Sequence, residues 1–249
     1  MNISAVIIVK NGIKTIVKTL DSLKEFNDVV VYDNGSDDGT QEIVKNYNNT
    51  NLVIDEFLGF GPTKNRAASF AKNEWILSID ADEVISEELL NSLKVLQLKN
   101  GVIYELFRSN FYKGYKLKHS GWGLEKLERL YNKSETIFND KLVHERVKTD
   151  GFKMEQLQGE LEHYSYHSLS DFIQKADVYS TAYAKDNVGK KSSSPLKAVL
   201  NAKYSFFRTY ILKRGFLDGY AGLVIAFSHM VTNFYKYIKL YELNLELKK

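Results

Sequence analysis

Short apolar runs alternate with helical stripes over the first hundred residues. Ile3–Val9 is a nearly continuous apolar run that reads as a buried strand. Ile13, Ile16, Val17, Leu20 and Leu23 then recur at helical spacing, on one face. A second strand at 29–32 ends in the turn-rich Asp33-Asn34-Gly35-Ser36-Asp37-Asp38-Gly39-Thr40, with a helix N-cap expected at Thr40 and a helix through Ile43, Val44 and Tyr47. Residues 52–54 form a third strand, and Pro62 opens a helix carrying Ala67, Ala68, Phe70 and Ala71. The run from Trp75 makes a strand that stops at Asp80, and Ser86 with Glu87 and Glu88 starts a helix through Leu89, Leu90 and Leu93. Repeated β-α units of this kind predict an α/β fold with a parallel, doubly wound sheet.

From residue 101 the texture changes. Residues 102–108 alternate, Lys113-Gly114 marks a turn, and 127–131 and 142–147 read as short strands. Beyond 169 the pattern is helical, with helices expected at 169–186, 195–213 and 216–244. The chain thus divides into an α/β domain, 1–168, and a helical extension, 169–249. Within the first, 1–100 reads as one half of a cleft and 101–168 as the other. The apolar-rich stretch 220–235 contains His229 and Asn233 and is shorter than the roughly 20 residues of a bilayer span, so a docked or interfacial helix is expected.

Composition narrows the function. The 249 residues are 44% hydrophobic, enough for a sizeable core. Cysteine is absent, which excludes disulfides, thiolate metal sites and a cysteine nucleophile. No export signal is evident at the N-terminus, so a cytoplasmic location is expected and the Asn-x-Ser/Thr triplets at Asn34, Asn48 and Asn132 read as chance matches. A net charge of +3 is too mild to imply a nucleic-acid partner. Between Lys185 and Arg214, however, eight cations face one acid, Asp186, interleaved with Tyr204, Phe206, Phe207 and Tyr210. Such a stretch suits peripheral contact with anionic lipid, or equally a solvated helix face over an aromatic core stripe.

Three motifs carry candidate chemistry. Asp80-Ala81-Asp82-Glu83 follows a buried strand, at the edge where open α/β sheets bind ligands. Two hard carboxylates there suit Mg²⁺ or Mn²⁺ in company with substrate phosphates, and the extra charge of Glu83, Glu87 and Glu88 calls for cations nearby. The turn after residue 32 offers Asp33 as an acceptor for a base N–H, or simply a turn leading into a helix. Gly59-Phe60-Gly61-Pro62-Thr63-Lys64-Asn65-Arg66 matches neither common phosphate loop, yet Lys64 or Arg66 at a helix start could reach a diphosphate; ordinary solvated helix charge is the competing reading.

In this order and spacing, across residues 3–95, the motifs resemble the nucleotide-binding half of GT-A glycosyltransferases of the inverting family 2. The later stretches Arg129-Leu130-Tyr131, Val143-His144-Glu145, His163-Tyr164-Ser165-Tyr166 and Arg214-Gly215-Phe216-Leu217-Asp218-Gly219 resemble its lipopolysaccharide-core β-1,4-glucosyltransferase-like members. The resemblance implies a GT-A (Rossmann-like) doubly wound mixed sheet with a C-terminal helical extension. It further implies that Val9 and Asn11 line a nucleotide base, Asp33 contacts it, Lys64 lies near the diphosphate, Asp80 binds ribose or a metal-bound water, and Asp82 binds the metal. The first turn departs from the family, reading Lys10-Asn11-Gly12 where many members have Asn-Glu.

An inverting transfer also needs a carboxylate that takes the acceptor's proton. The Glu-Asp pair that many family members use is absent. Glu145 is the leading base, tuned by His144 or Arg146, with Glu125, Glu128 and Asp140 as competitors and a simple surface pairing with Arg146 or Lys148 as the alternative. Trp122, between two glycines, could stack on a sugar or anchor a loop. His163 and His167, four apart in an extended or irregular segment, read as packing residues, with one of them a candidate to complete the Asp82 metal site. The expected activity is transfer of a hexose, glucose or galactose, from a UDP-sugar to a bacterial lipopolysaccharide or lipooligosaccharide core, with Mg²⁺ or Mn²⁺ as cofactor and peripheral inner-membrane contact. Transfer to a polyprenyl phosphate, and a non-catalytic nucleotide-sugar-binding domain, are the alternatives.

Overall fold

The computed structural model describes residues 1–140 and 145–247, and the chain forms two compact units. One comprises residues 1–108 and 125–164, the other 109–124 and 165–249.

In the first unit β1 (Ile3–Val9), α1 (Ile16–Ser22), β2 (Val29–Asp33), α2 (Thr40–Val44), β3 (Thr50–Ile54), α3 (Phe60–Ser69) and β4 (Trp75–Asp80) follow in turn. The four strands are parallel, in the spatial order β3-β2-β1-β4. The chain then passes through β5 (Glu83–Ile85), α4 (Glu87–Val95), β6 (Val102–Tyr112), the two-residue β7 (Tyr115–Lys116), β8 (Glu125–Asn132) and β9 (Lys153–Tyr166). β8 pairs antiparallel with β4 and β6, and the sheet continues β8-β6-β9-β5, so it is mixed.

Strand periodicity sorts the buried side chains into two cores. Ile3, Ala5, Ile7 and Val9 pack with Ile16, Leu20, Val31, Leu77 and Leu89 on one face. Val6, Val30, Tyr32 and Ile76 pack with Ala67, Ala68 and Phe138 on the other. With both faces covered, β1, β2 and β4 carry apolar residues at most positions, which is why they read as nearly continuous runs. Each fully buried Val, Leu or Ile contributes roughly 1.5–3 kcal/mol. Strand order reverses at β1, whose sequence neighbour β2 lies on one side and β4 on the other. The carboxyl ends of β1 and β4 therefore open a crevice, the usual ligand position in such sheets.

Several local expectations are corrected. α1 begins only at Ile16, so Ile16, Leu20 and Leu23 are buried while Ile13 and Val17 are 42% and 40% exposed. Thr40 is the first helical residue of α2, after a left-handed Gly39, and its hydroxyl accepts instead from the backbone N–H of Gly12. The strand expected at 142–147 falls partly on residues outside the description; Val147 makes an isolated antiparallel bridge to Phe138. β6 is longer than 102–108, and β5 had no apolar run of its own to announce it.

The second unit is built on α5 (Leu169–Asn187), α6 (Pro195–Phe207) and α7 (Gly219–Glu246). Ser168 and Asp171 close a capping box at the start of α5, and the Ser194 hydroxyl accepts from Lys197 N–H with Pro195 at the first helical position of α6. The helix expected at 195–213 stops at Phe207 and passes into a π-helical turn, Arg208–Leu212, followed by a 3₁₀ turn, Gly215–Asp218. Gly222 is required in α7, because a Cβ there would lie 1.8 Å from the Gly215 carbonyl oxygen. The core joins Tyr112, Leu117, Phe172, Ala221 and Ile225. Among the described residues no helix is long and apolar enough to cross a membrane.

Candidate functional site

At the crevice of the first unit lies a cavity of about 390 Å³, lined by Val9, Asn11, Phe60, Lys64, Asp80, Asp82 and Glu145 among others. Six of the residues singled out in the sequence are thus brought together from four places in the chain. Val9 and Asn11 come from the end of β1, Lys64 from the first turns of α3, Asp80 and Asp82 from the end of β4, and Glu145 from the segment before Val147.

Lys64 is 3% exposed, and its ammonium contacts Glu145 Oε1 at 2.8 Å and Asp80 Oδ1 at 3.1 Å. Its position depends on Gly61: a Cβ there would come within 1.9 Å of the Asn139 carbonyl oxygen, so only glycine lets α3 approach the segment leading to Glu145. Asn65 reinforces that approach, donating to and accepting from the Phe138 backbone at 2.9 Å each way.

The second Asp80 oxygen is held by Arg129 at 2.8 Å. Arg129 also reaches Glu83 Oε1 at 3.3 Å, and Arg108 reaches the same oxygen at 3.2 Å. Glu83 has no exposed surface, and its other oxygen accepts from the Asp80 backbone N–H at 2.9 Å. Burial works against the charge on Asp80, but Arg129 and then Lys64 outweigh it and hold its carboxyl well below the usual carboxylate range. Burial likewise opposes the charge on Arg129, and Asp80 and Glu83 overcome it and raise its proton affinity. Sequence reasoning anticipated cations near the acidic cluster but missed Arg129, Arg108 and the buried role of Glu83. The signal available was Glu83 itself, a charge two residues before the apolar Ile85 in a segment flanked by buried strands.

Asp82 is placed differently. Its backbone carbonyl accepts from Tyr164 N–H at 2.9 Å, and its Oδ2 lies 3.4 Å from His163 Nε2 on β9, which pairs with β5 at Glu83. Among the described residues no group of three or more His, Cys, Asp or Glu converges as a metal site. The donors that fit a divalent cation are Asp82 and His163, a pair that leaves further positions for substrate oxygens; both Asp80 oxygens are already engaged by cations.

The first two turns are stitched together. Asn11, at φ 57°, receives Asp37 N–H on its Oδ1 and donates its own N–H to Ser36 Oγ. Asp33 is fully buried; its Oδ1 accepts from Gly35 N–H, Ser36 N–H and Gln41 Nε2, while Oδ2 has no hydrogen-bond partner among the described residues. Asp33 does not line the cavity, and neither do Glu125, Glu128 or Asp140. Glu125 is instead paired with Arg108. Trp122 belongs to the second unit, where it stacks on Phe172 at 5.8 Å. His144 lies outside the described residues.

The sequence model described as Glycosyl transferase family 2 matches residues 4–154. An uncharacterized glycosyltransferase of Rickettsia typhi is 31% identical over 98% of this chain and 88% of its own length. The lipopolysaccharide core biosynthesis glycosyltransferase LpsC of Rhizobium meliloti is 25% identical over 96% of this chain and 92% of its own. Among solved structures, S. aureus TarS 1–349 in complex with UDP is 17% identical, covering 100% of this chain and 91% of that one, with a TM-score of 0.42. The mixed, doubly wound α/β sheet is the GT-A architecture that the sequence motifs implied. Matched to the family over more than half its residues and to a relative along nearly all of them, this chain belongs to glycosyl transferase family 2.

Proposed function

We propose that the protein is an inverting hexosyltransferase that uses a UDP-sugar, with glucose or galactose as the hexose. The observation that carries this reading is the shared cavity of Val9, Asn11, Lys64, Asp80, Asp82 and Glu145 at the strand-order reversal. Val9 and Asn11 line the side on which the nucleotide rests. Asp33, fully buried and off the cavity, braces the turn that holds Asn11 by accepting from Gly35 and Ser36 N–H rather than meeting the base itself. Asp82 and His163 would hold Mg²⁺ or Mn²⁺, which when bound neutralises charge on the leaving diphosphate.

The chain's own residues account for the rest. Lys64 supplies a buried positive charge for the diphosphate, and Arg129 fixes Asp80 as a carboxylate for the ribose hydroxyls. Glu145 keeps Oε1 on Lys64 and offers Oε2 to the acceptor hydroxyl. The acceptor oxygen bonds to the anomeric carbon as the bond to UDP breaks on the opposite face, and the hydroxyl proton passes to Glu145. The configuration at the anomeric carbon inverts and UDP departs.

For the acceptor, the full-length similarity to a lipopolysaccharide core enzyme supports a bacterial surface glycan. Exposed Phe207, Ile211 and Leu212 beside exposed Lys203 and Arg214 support peripheral contact at the cytoplasmic face of the inner membrane. The test is UDP release from a panel of UDP-sugars with Mn²⁺ and cell-envelope glycan. Release above the acceptor-free rate is expected, and Glu145→Gln should lower it roughly 10²–10⁴-fold. No release from any donor overturns the reading; full activity of Asp82→Ala removes the metal assignment.

A further inference from the structure

The second unit contains its own cavity, of about 530 Å³, a size that accommodates a small sugar. One wall is aromatic. Tyr166 and Phe172 stack at 4.1 Å, and Trp122 lies 5.0 Å from Tyr166. Arg208, Lys213 and Lys236 come from the π-helical turn, its end and α7, and among the described residues no Asp or Glu lines the cavity. Among the described residues none of these three cations forms an ion pair. Between the two walls His229, Thr209, Asn233 and Ser205 form a hydrogen-bonded polar strip: Thr209 Oγ1 and His229 Nδ1 are 3.0 Å apart, and Asn233 donates to Ser205 Oγ at 2.9 Å.

Two features show that this arrangement is built. Single π-helical turns are rare and frequent at functional sites, and here the turn delivers Arg208 and Thr209 to the cavity. Asp218 holds the aromatic side in place, accepting from Lys118 N–H at 3.0 Å, from His119 N–H and from Ser120 Oγ, just before Trp122. The Arg214-to-Gly219 motif that stood out in the sequence thereby acquires a local purpose. The His229 imidazole reports the unbalanced charge: burial first, then Lys213, Lys236 and Arg208, lower its pKa to about 4.

We propose that this cavity binds a phosphorylated saccharide, with the phosphate among Arg208, Lys213 and Lys236 and a sugar face against the aromatic wall. Clustered cations without a counter-carboxylate call for an anion, and aromatic rings beside polar groups suit the mixed apolar and hydroxylated faces of a pyranose. A lipid surface is flat and fits a concave, walled cavity less well. No residue of the donor cavity takes part, so the inference goes beyond the transferase reading and does not depend on it.

The experiment is calorimetric titration of the full chain with glucose 6-phosphate, inorganic phosphate and glucose, in the presence of saturating UDP. Glucose 6-phosphate should bind more tightly than either component, and less tightly as salt rises. Lys213→Gln and Lys236→Gln should each weaken it about tenfold, without lowering Tm, whereas Asp82→Ala should still bind it. An imidazole NMR titration should show the His229 pKa rising when the sugar phosphate is bound. Equal affinity for glucose, absent binding, or binding unchanged in both lysine variants overturns the proposal. So does binding only to phosphatidylcholine vesicles containing phosphatidylglycerol, which would make the cations a membrane contact.

Discussion

Replacing Arg129 by Met tests the charge network behind the cavity at the ends of β1 and β4. Arg129 is 6% exposed and holds one oxygen each of Asp80 and Glu83. Met fills most of its volume but leaves Glu83, with no exposed surface, dependent on Arg108 at 3.2 Å. Breaking a buried pair from one side costs about 3–5 kcal/mol, because the remaining charge stays in a poorly solvated place. In a chain of this length each kcal/mol moves Tm by roughly 2–4 °C, so a fall of about 6–20 °C is expected by circular dichroism. Lys24→Met, which breaks an exposed i,i+3 pair with Asp21, should change stability by at most about 0.5 kcal/mol. The double variant Arg129→Met, Glu83→Met should recover much of the loss, since an apolar pair of similar volume carries no desolvated charge. A Tm within two degrees of the parent, or strict additivity in the cycle, refutes the reasoning.

Gly61→Ala places a methyl where the Asn139 carbonyl sits and should cost about 1–3 kcal/mol, read as a lower urea midpoint; an unchanged midpoint means that segment yields freely. Asp218→Ala removes the acceptor of Lys118, His119 and Ser120 and should speed amide exchange at 118–120 while exchange in β1 stays the same. His229 has a lowered folded pKa, so the unfolded chain binds the extra proton between pH 6.5 and about 4. Its contribution to stability is complete above pH 6.5 and is lost as pH falls through that window; His229→Gln should flatten the pH dependence of Tm there, and an identical slope rules the assignment out.

The parallel half of the sheet was legible because strands buried on both faces are mostly apolar, as in Ile3–Val9, broken only by Ser4, and Trp75–Asp80, broken by Ser78 before the terminal Asp80. The Ser86 cap was equally plain, with its hydroxyl accepting from Leu89 N–H. β5 was not: three residues with a buried glutamate make a strand only because β9 supplies the ladder. Candidate residues near strand ends were marked by motif and register, and one cavity gathers Val9, Asn11, Lys64, Asp80 and Asp82. The hub at Arg129 and Glu83 was not, since a buried ion pair between residues 46 apart leaves no periodic trace. Trp122 offered two meanings by sequence, and its ring packing within the second unit depends on contacts from 166 and 172 that spacing does not encode. The π-helical turn likewise looked like continued helix, because its 3.6-residue pattern drifts by only one position.

The long β9 strand has a consequence for chimeras. The match to the family model ends at residue 154, the second residue of that strand. An N-terminal half excised there keeps both aspartates but loses His163 and the Tyr164 N–H that holds the Asp82 carbonyl. It also strips β5 of its one strand neighbour among the described residues. Exchanging halves between relatives therefore requires a crossover after residue 164, so that the strand travels with the loop it supports.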